Sequence, residues 1–250
     1  MCVKQVTFLP AGVVLEKGNQ GINPLFTMKR LNDPDRYAVE EAIRLSEEHA
    51  DAEVLVVTVG EADAAKELRK CLAMGAHRAV RVSDTGLQLH DPISVGRALA
   101  QLARRESADI VLCGVQSEDA CQQATGPVLA SALGYPCVTM VTDVKLDRDR
   151  GCLVVQREVG GGMIEVAEVD LPAVLTVQTG INSPRTGSMK AMMTAKRATI
   201  EVVEAEEVAP SAIRIESMAA HVTSQGQLQL VEGGPAEVAK KIRELIEAAP

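Results

Sequence analysis

Residues 114 to 126 combine the residue types and spacing of an anion-binding loop. Within DIVLCGVQSEDACQQATGPVLASALG, residues 109 to 134, an apolar run at 110 to 113 ends at Gly114, where the backbone can turn sharply. An amide- and hydroxyl-rich stretch follows, with Gln116, Ser117, Gln122 and Gln123, and a new helix is expected at Thr125-Gly126-Pro127. Thr125 suits the N-cap and Pro127 the first helical position, so open backbone N–H groups and the positive dipole end would face a phosphate. Glu118 and Asp119 bring negative charge, and no Lys or Arg lies between them and Pro127. A phosphate is therefore expected on amides and dipole, with the acids turned toward sugar hydroxyls or base. The loop is longer than a typical strand-to-helix connection, which favours a binding role over a plain turn and cap.

The elements around this loop alternate. Residues 1 to 6 read as the middle or end of a first strand, short or with its lead-in lost upstream. Asn32-Asp33-Pro34-Asp35 opens a helix, with Asp33 as N-cap and Pro34 as first helical residue. Strands at 54–59 and 79–82, and helices at 62–74 and 92–106, lead to the strand at 109. This order predicts an α/β, Rossmann-like parallel sheet with helices on both faces. Ligands of such folds bind at the carboxyl ends of the strands, where the loop after strand one, Val59-Gly60 and the 114–125 loop converge.

After Gly134 the pattern changes to an antiparallel ribbon at 138–146, 152–159 and 163–170, with Gly160-Gly161-Gly162 as a hairpin turn. A buried strand is expected at 172–177 and another short strand at 199–203. The chain then divides into an α/β domain, 1–203, and a C-terminal arm, 204–250. The arm is acidic at first and irregular from 210 to 234. It ends in an amphipathic terminal helix, 235–249, with Val238, Ile242, Leu245 and Ile246 on one stripe. That helix either docks on a partner or packs back on its own domain.

Composition narrows the function. A net charge of −8, two Phe, two Tyr and no Trp argue against nucleic acid. Six scattered cysteines without a C-x-x-C pair read as small buried hydrophobes in a reducing compartment, and the four His show no ligand spacing, so a metal site is not expected. No leader or membrane-length apolar run is legible, and a soluble, cytoplasmic protein is expected, without membrane insertion. No arrangement of nucleophile, base and orienting group stands out, which suits a cofactor-positioning role rather than catalysis.

The chain resembles the beta subunit of the electron transfer flavoproteins over nearly its whole length. The matching pieces are VKQV at 3–6, NDPDRYAVEEA at 32–42, LAMGAHRA at 72–79, DIVLCGVQ at 109–116 and TGP at 125–127. REVGGG at 157–162, LPAVLTV at 171–177, GINSPR at 180–185 and AKR at 195–197 complete the set. The resemblance implies a heterodimer with an alpha subunit that carries most of the redox FAD site, and a structural AMP in this subunit. Carried over by position, the AMP pocket comprises Cys2, Asn32, Asp33, Pro34, Asp35, Val59, Gly114, Gln116, Ser117, Asp119, Cys121, Gln122, Gln123, Thr125 and Gly126.

The resemblance also implies a recognition loop, 182–197, that anchors acyl-CoA dehydrogenase-type donors. Pro184 and Arg185 lie in it, and Met189 stands where the family has a leucine; the alternative is that Met189, Met192 and Met193 are core. Glu158 matches a glutamate facing the mobile flavin domain, or is simply a solvent-facing strand residue. Electrons would pass from the dehydrogenase through FAD to a quinone reductase or similar acceptor. Three departures from the family pattern stand out. Leu9 occupies an aromatic position, with Phe8 the nearest ring; Ala120-Cys121 replaces more acidic residues; and the recognition loop reads Ser-Pro-Arg-Thr-Gly. Within the family, a bifurcating flavoprotein would hold a second FAD and an NADH site in this pocket. Outside it, a stand-alone stress-type adenine-nucleotide module shares a similar core.

Overall fold

The computed structural model describes residues 1–10, 12–18, 21–206, 213–220 and 230–247. In chain order the elements are β1 Gln5–Phe8, β2 Met28–Leu31, α1 Asp33–Glu48, β3 Leu55–Gly60, α2 Ala65–Met74, β4 Arg78–Ser83, α3 Pro92–Arg105 and β5 Ile110–Gly114. There follow α4 Thr125–Leu133, β6 Cys137–Asp147, β7 Cys152–Glu158, β8 Ile164–Asp170, β9 Ala173–Val177, α5 Met189–Arg197, β10 Glu201–Val203 and α6 Pro235–Glu247.

β10, β4 and β3 pair in parallel, and β5 pairs in parallel with β9, which pairs in parallel with β6. Residues 1 to 3 bridge the two groups. Cys2 N–H donates to Leu112 O at 2.9 Å, Val57 N–H to Met1 O at 2.8 Å, and Val3 N–H to Val57 O at 2.8 Å. The sheet therefore runs β10-β4-β3-(1–3)-β5-β9-β6-β7-β8, with β7 antiparallel to both β6 and β8. The expected first strand splits in two: its start joins this sheet, whereas β1 leaves it to form an antiparallel hairpin with β2.

Successive strand residues point into opposite layers, so one strand feeds both cores. Val56 packs with Val39 and Ile43 of α1 and Leu68 of α2. Its neighbour Val57 packs with Val80, with Ala98, Leu99 and Leu102 of α3, and with Leu129 of α4. Ala38 and Leu45 of α1 also cover Leu112, Leu175 and Val155. Helices thus cover both faces of the parallel part, as expected, whereas Ile164 and Val166 on β8 are exposed.

The hairpin at Gly160-Gly161-Gly162 forms as expected, with all three glycines at positive φ (87°, 62° and 76°), a region in which a side chain would be strained. Two helix starts differ from expectation. Asn32, not Asp33, precedes α1, and its side chain bonds the 114–125 loop rather than the helix. Ala124, not Thr125, precedes α4, which puts Pro127 third in the helix; the first-turn N–H groups lack intrahelical acceptors, so proline is tolerated there as well. The 62–74 helix opens as a 3-10 turn at 62–64 before α2. In the arm, residues 207–212 and 221–229 of the irregular stretch, and the helix end at 248 and 249, lie outside the described residues. No residue of α6 is buried, and Ile242, Leu245 and Ile246 are exposed.

Candidate functional site

The start of α1, the N-terminal segment and the 114–125 loop meet at the carboxyl edge of the sheet, held by one buried carboxylate. Asp35 is 5% exposed, and its Oδ2 accepts the Lys4 N–H at 2.7 Å while Oδ1 accepts the Gly114 N–H at 3.1 Å. The approach is so close that a Cβ at Gly114 would fall onto the Asp35 carboxylate and 2.8 Å from the Asp35 backbone N. Asn32, also buried, spans the gap from the other side: its Nδ2 donates to Gln116 O at 2.9 Å, and its Oδ1 accepts the Glu118 N–H at 3.0 Å.

The loop is folded on itself. Cys121 N–H donates to Ser117 O at 2.9 Å, Gln123 Nε2 donates to Gln116 Oε1 at 2.9 Å, and Cys121 and Gln123 both sit at positive φ (50° and 53°). Gln122 Nε2 reaches His90 O at 3.4 Å. Ala124 offers no side-chain cap, so the N–H groups of Thr125 and Gly126 remain open toward the loop. Gly126 lets α4 approach β9, since a Cβ there would overlap Thr176 Cγ2.

The acidic residues are paired by cations from distant parts of the chain. Lys4 Nζ is 2.7 Å from Asp119 Oδ1 and 3.2 Å from Ser117 Oγ. Arg30 pairs with Glu118 at 2.7 Å and lies 4.1 Å above the Phe8 ring. Burial pushes the Asp119 carboxyl up, but hydrogen bonds from Lys4 and its charge bring it below the ordinary value. Burial dominates at Asp35, which rises to about 7 despite the bonds from Asn32, Lys4 and Gly114. The donor set of open helix N–H groups, carboxamides and a hydroxyl, with its acids paired, fits a nucleotide phosphate.

Most residues read as a pocket converge here: Asn32, Asp33, Pro34 and Asp35 with Gly114, Gln116, Ser117, Asp119, Cys121, Gln123, Thr125 and Gly126. Asp33 contributes its N–H to Glu118 Oε2 at 3.2 Å. Val59, next to last in β3, pairs with Val82, and Cys2 bridges Val57. Lys4 and Arg30 were missed as site residues, since neither lies near the loop in sequence. The cavity of about 360 Å3 lined by Val54, Leu55, Arg78, Glu106 and Ile110 is at the opposite edge, where the strands begin.

On the α1 and α2 side, the 182–197 segment is fixed by charge and close packing. Arg185 donates from Nε (2.9 Å) and backbone N (3.0 Å) to Glu40 Oε2, from Nη2 to Glu40 Oε1 at 2.9 Å, and from Nη2 to Glu47 Oε2 at 3.0 Å. Asn182 Nδ2 donates to Tyr37 O and Glu41 Oε2, both at 2.9 Å. Gly187 lies against α2, where a Cβ would sit 2.7 Å from Ala73 Cβ. Ser188 then caps α5 by accepting the Ala191 N–H at 3.1 Å. Met189 is 75% exposed, and Met192 and Met193 are exposed as well, so these methionines are not core. Pro184 is half-buried, and Glu158 is exposed at the end of β7.

The electron transfer flavoprotein domain family matches residues 27–208. The electron transfer flavoprotein subunit beta of Methylophilus methylotrophus is 36% identical over 256 aligned positions, covering 98% of this chain and 96% of that protein. The subunit beta of Sus scrofa is 36% identical over 79% of this chain and 73% of its own length, and that of Homo sapiens 37% identical over 77% and 72%. Among the described residues, no helix is long and apolar enough to cross a membrane. With this fold, this loop arrangement and these relatives, the chain belongs to the electron transfer flavoprotein beta-subunit family.

Proposed function

We propose that this chain is the beta half of a heterodimeric electron carrier that holds AMP at the 114–126 loop and helps an alpha subunit enclose FAD. The observation that carries the nucleotide assignment is the convergence of the α4 N-terminus, the carboxamides of the loop and the Asn32–Asp35 corner on one edge, with Glu118 and Asp119 already neutralised. Redox chemistry is the flavin's own contribution, and the residues of this chain bind and orient. The exposed methionines of α5, held on a segment clamped to α1, suit docking on an acyl-CoA dehydrogenase-type donor, because Met adapts to irregular apolar pockets. Electrons then pass to a quinone reductase or similar acceptor. The exposed apolar stripe of α6 suits docking of the 204–250 arm on the alpha subunit.

Co-expression with the alpha subunit, followed by denaturation and counting of released FAD and AMP, tests this reading. One FAD and one AMP per dimer is the expected result. Two flavins per dimer would replace AMP with the second FAD of a bifurcating protein. A chain that purifies as a stable nucleotide-binding monomer and never associates with an alpha subunit would overturn the subunit assignment.

A further inference from the structure

Cys2 and Cys113 lie on neighbouring strands, on the same face of the sheet, beneath the 114–126 loop. Cys2 N–H donates to Leu112 O at 2.9 Å, which places the two cysteines side by side across a parallel pair. Val3 and Leu112 point into the layers covered by α1, so Cys2 and Cys113 point to the α3 and α4 side, where Cys2 packs with Val57 and Leu129. Cys113 Cβ is 3.9 Å from the place a Cβ on Gly126 would occupy, directly under the first turn of α4. Strands in a sheet run about 4.8 Å apart, inside the roughly 4.4–6.8 Å span that a disulfide bridges.

We propose that Cys2 and Cys113 form a peroxide-sensitive dithiol at the floor of the nucleotide pocket, open to oxidation when the nucleotide is absent. Cys2 is half-buried and also borders the cavity of about 360 Å3 at the opposite edge, whereas Cys113 is 6% exposed. The hydrogen bond from Cys113 draws the Cys2 thiol below its ordinary value against the opposing effect of burial; the same bond, with burial, pushes Cys113 up. Cys2, the more exposed of the two, is the thiol that meets peroxide first, and Cys113 is the resolving thiol. The Cys2 thiolate attacks hydrogen peroxide, breaking the O–O bond to give a sulfenic acid and, with one proton, water. Cys113 sulfur then attacks the sulfenic sulfur, forming the S–S bond and releasing a second water with the Cys113 proton. Two thiols are oxidised and one peroxide is reduced. The other cysteines lack this setting: burial holds Cys71 up at about 12, and Cys121 sits exposed on the loop with its thiol toward Glu118 O.

The shielding half of the proposal rests on the AMP reading, so the test separates the two. The purified heterodimer, stripped of AMP, is treated with hydrogen peroxide, quenched by alkylation and digested without reductant for mass spectrometry. The expected product links the Cys2 and Cys113 peptides, persists in Cys121→Ala and is absent from Cys2→Ala and Cys113→Ala. Saturating AMP is expected to slow its formation at least tenfold. Sulfinic acid at Cys2 without the link, or a link to Cys121, overturns the dithiol. A link that forms at the same rate with and without AMP leaves the dithiol standing and overturns AMP as the group that shields it.

Discussion

Arg185→Ala is expected to loosen the 182–197 segment and destabilise the chain without touching the nucleotide loop. Arg185 satisfies both oxygens of Glu40, whose side chain is only 6% exposed, and shares Nη2 with Glu47. Removing the guanidinium leaves the Glu40 carboxylate with only the backbone N–H of residue 185. Breaking a fully buried pair costs roughly 3–5 kcal/mol. The Arg185 side chain is 35% exposed, so water screens part of the interaction and roughly 2–3 kcal/mol is the appropriate figure. For a chain of this size that corresponds to a fall in Tm of about 4–12 °C. The assay is thermal unfolding of the heterodimer for wild type, Arg185→Ala, Glu40→Gln and the double variant, alongside steady-state reduction by the cognate dehydrogenase. The single variants should be strongly non-additive, because they share one contact. AMP content should stay at wild-type level while KM for the flavoprotein rises more than kcat falls. Additive single effects, or a Tm loss below about 2 °C, would show that the clamp contributes nothing and that Arg185 is free to meet a partner directly.

Three further outcomes are expected. Gly114→Ala forces a methyl onto the Asp35 carboxylate and toward backbone atoms that cannot yield, so it should cost about 2–4 kcal/mol and abolish AMP retention; equilibrium denaturation and nucleotide release check this, and near-wild-type values would mean that the α1 and β5 ends separate easily. Met189→Ala should weaken reduction by the dehydrogenase with unchanged FAD content and Tm, since this exposed side chain supports nothing inside the chain; a parallel loss of stability would make it structural. Asp35, raised in the folded chain to about 7 from 3.8, binds a proton that the unfolded chain releases, so its contribution is full below pH 3.8 and is lost as pH rises through 7. Between pH 5 and pH 8 that loss is ~3 kcal/mol, and Asp35→Asn should flatten the urea-midpoint profile over this range; parallel profiles for the two proteins would refute it.

The parallel strands and their helices were legible because each carries its own signal. The run at 110–113, Gly75 after α2 and the three hairpin glycines are local features, and local chemistry decided them. The failures arose where a side chain had two possible partners. Asp33 is a good cap by type, but the helix starts one residue earlier: Asn32 stands at the cap position with its side chain on Gln116 O and the Glu118 N–H, and Asp33 gives its own N–H to Glu118 Oε2. The N-terminal strand was read as one piece because alternation does not reveal that residues 1–3 and 5–8 pair with different neighbours.

The charge of the loop is set by residues far away in the chain. Glu118 and Asp119 seemed to oppose a phosphate because no cation lay near them in sequence. Their cations come from 88 and 115 residues away, Arg30 on β2 and Lys4 just before β1. That pairing requires the β1–β2 hairpin to leave the main sheet and fold over the carboxyl edge, and Asp35 holds the base of the hairpin there through Lys4 N–H. Loop charge, hairpin position and the buried carboxylate are therefore one arrangement: disturbing Asp35 should release Lys4 from Asp119 and return to the loop the negative charge that made it look unfit for a nucleotide.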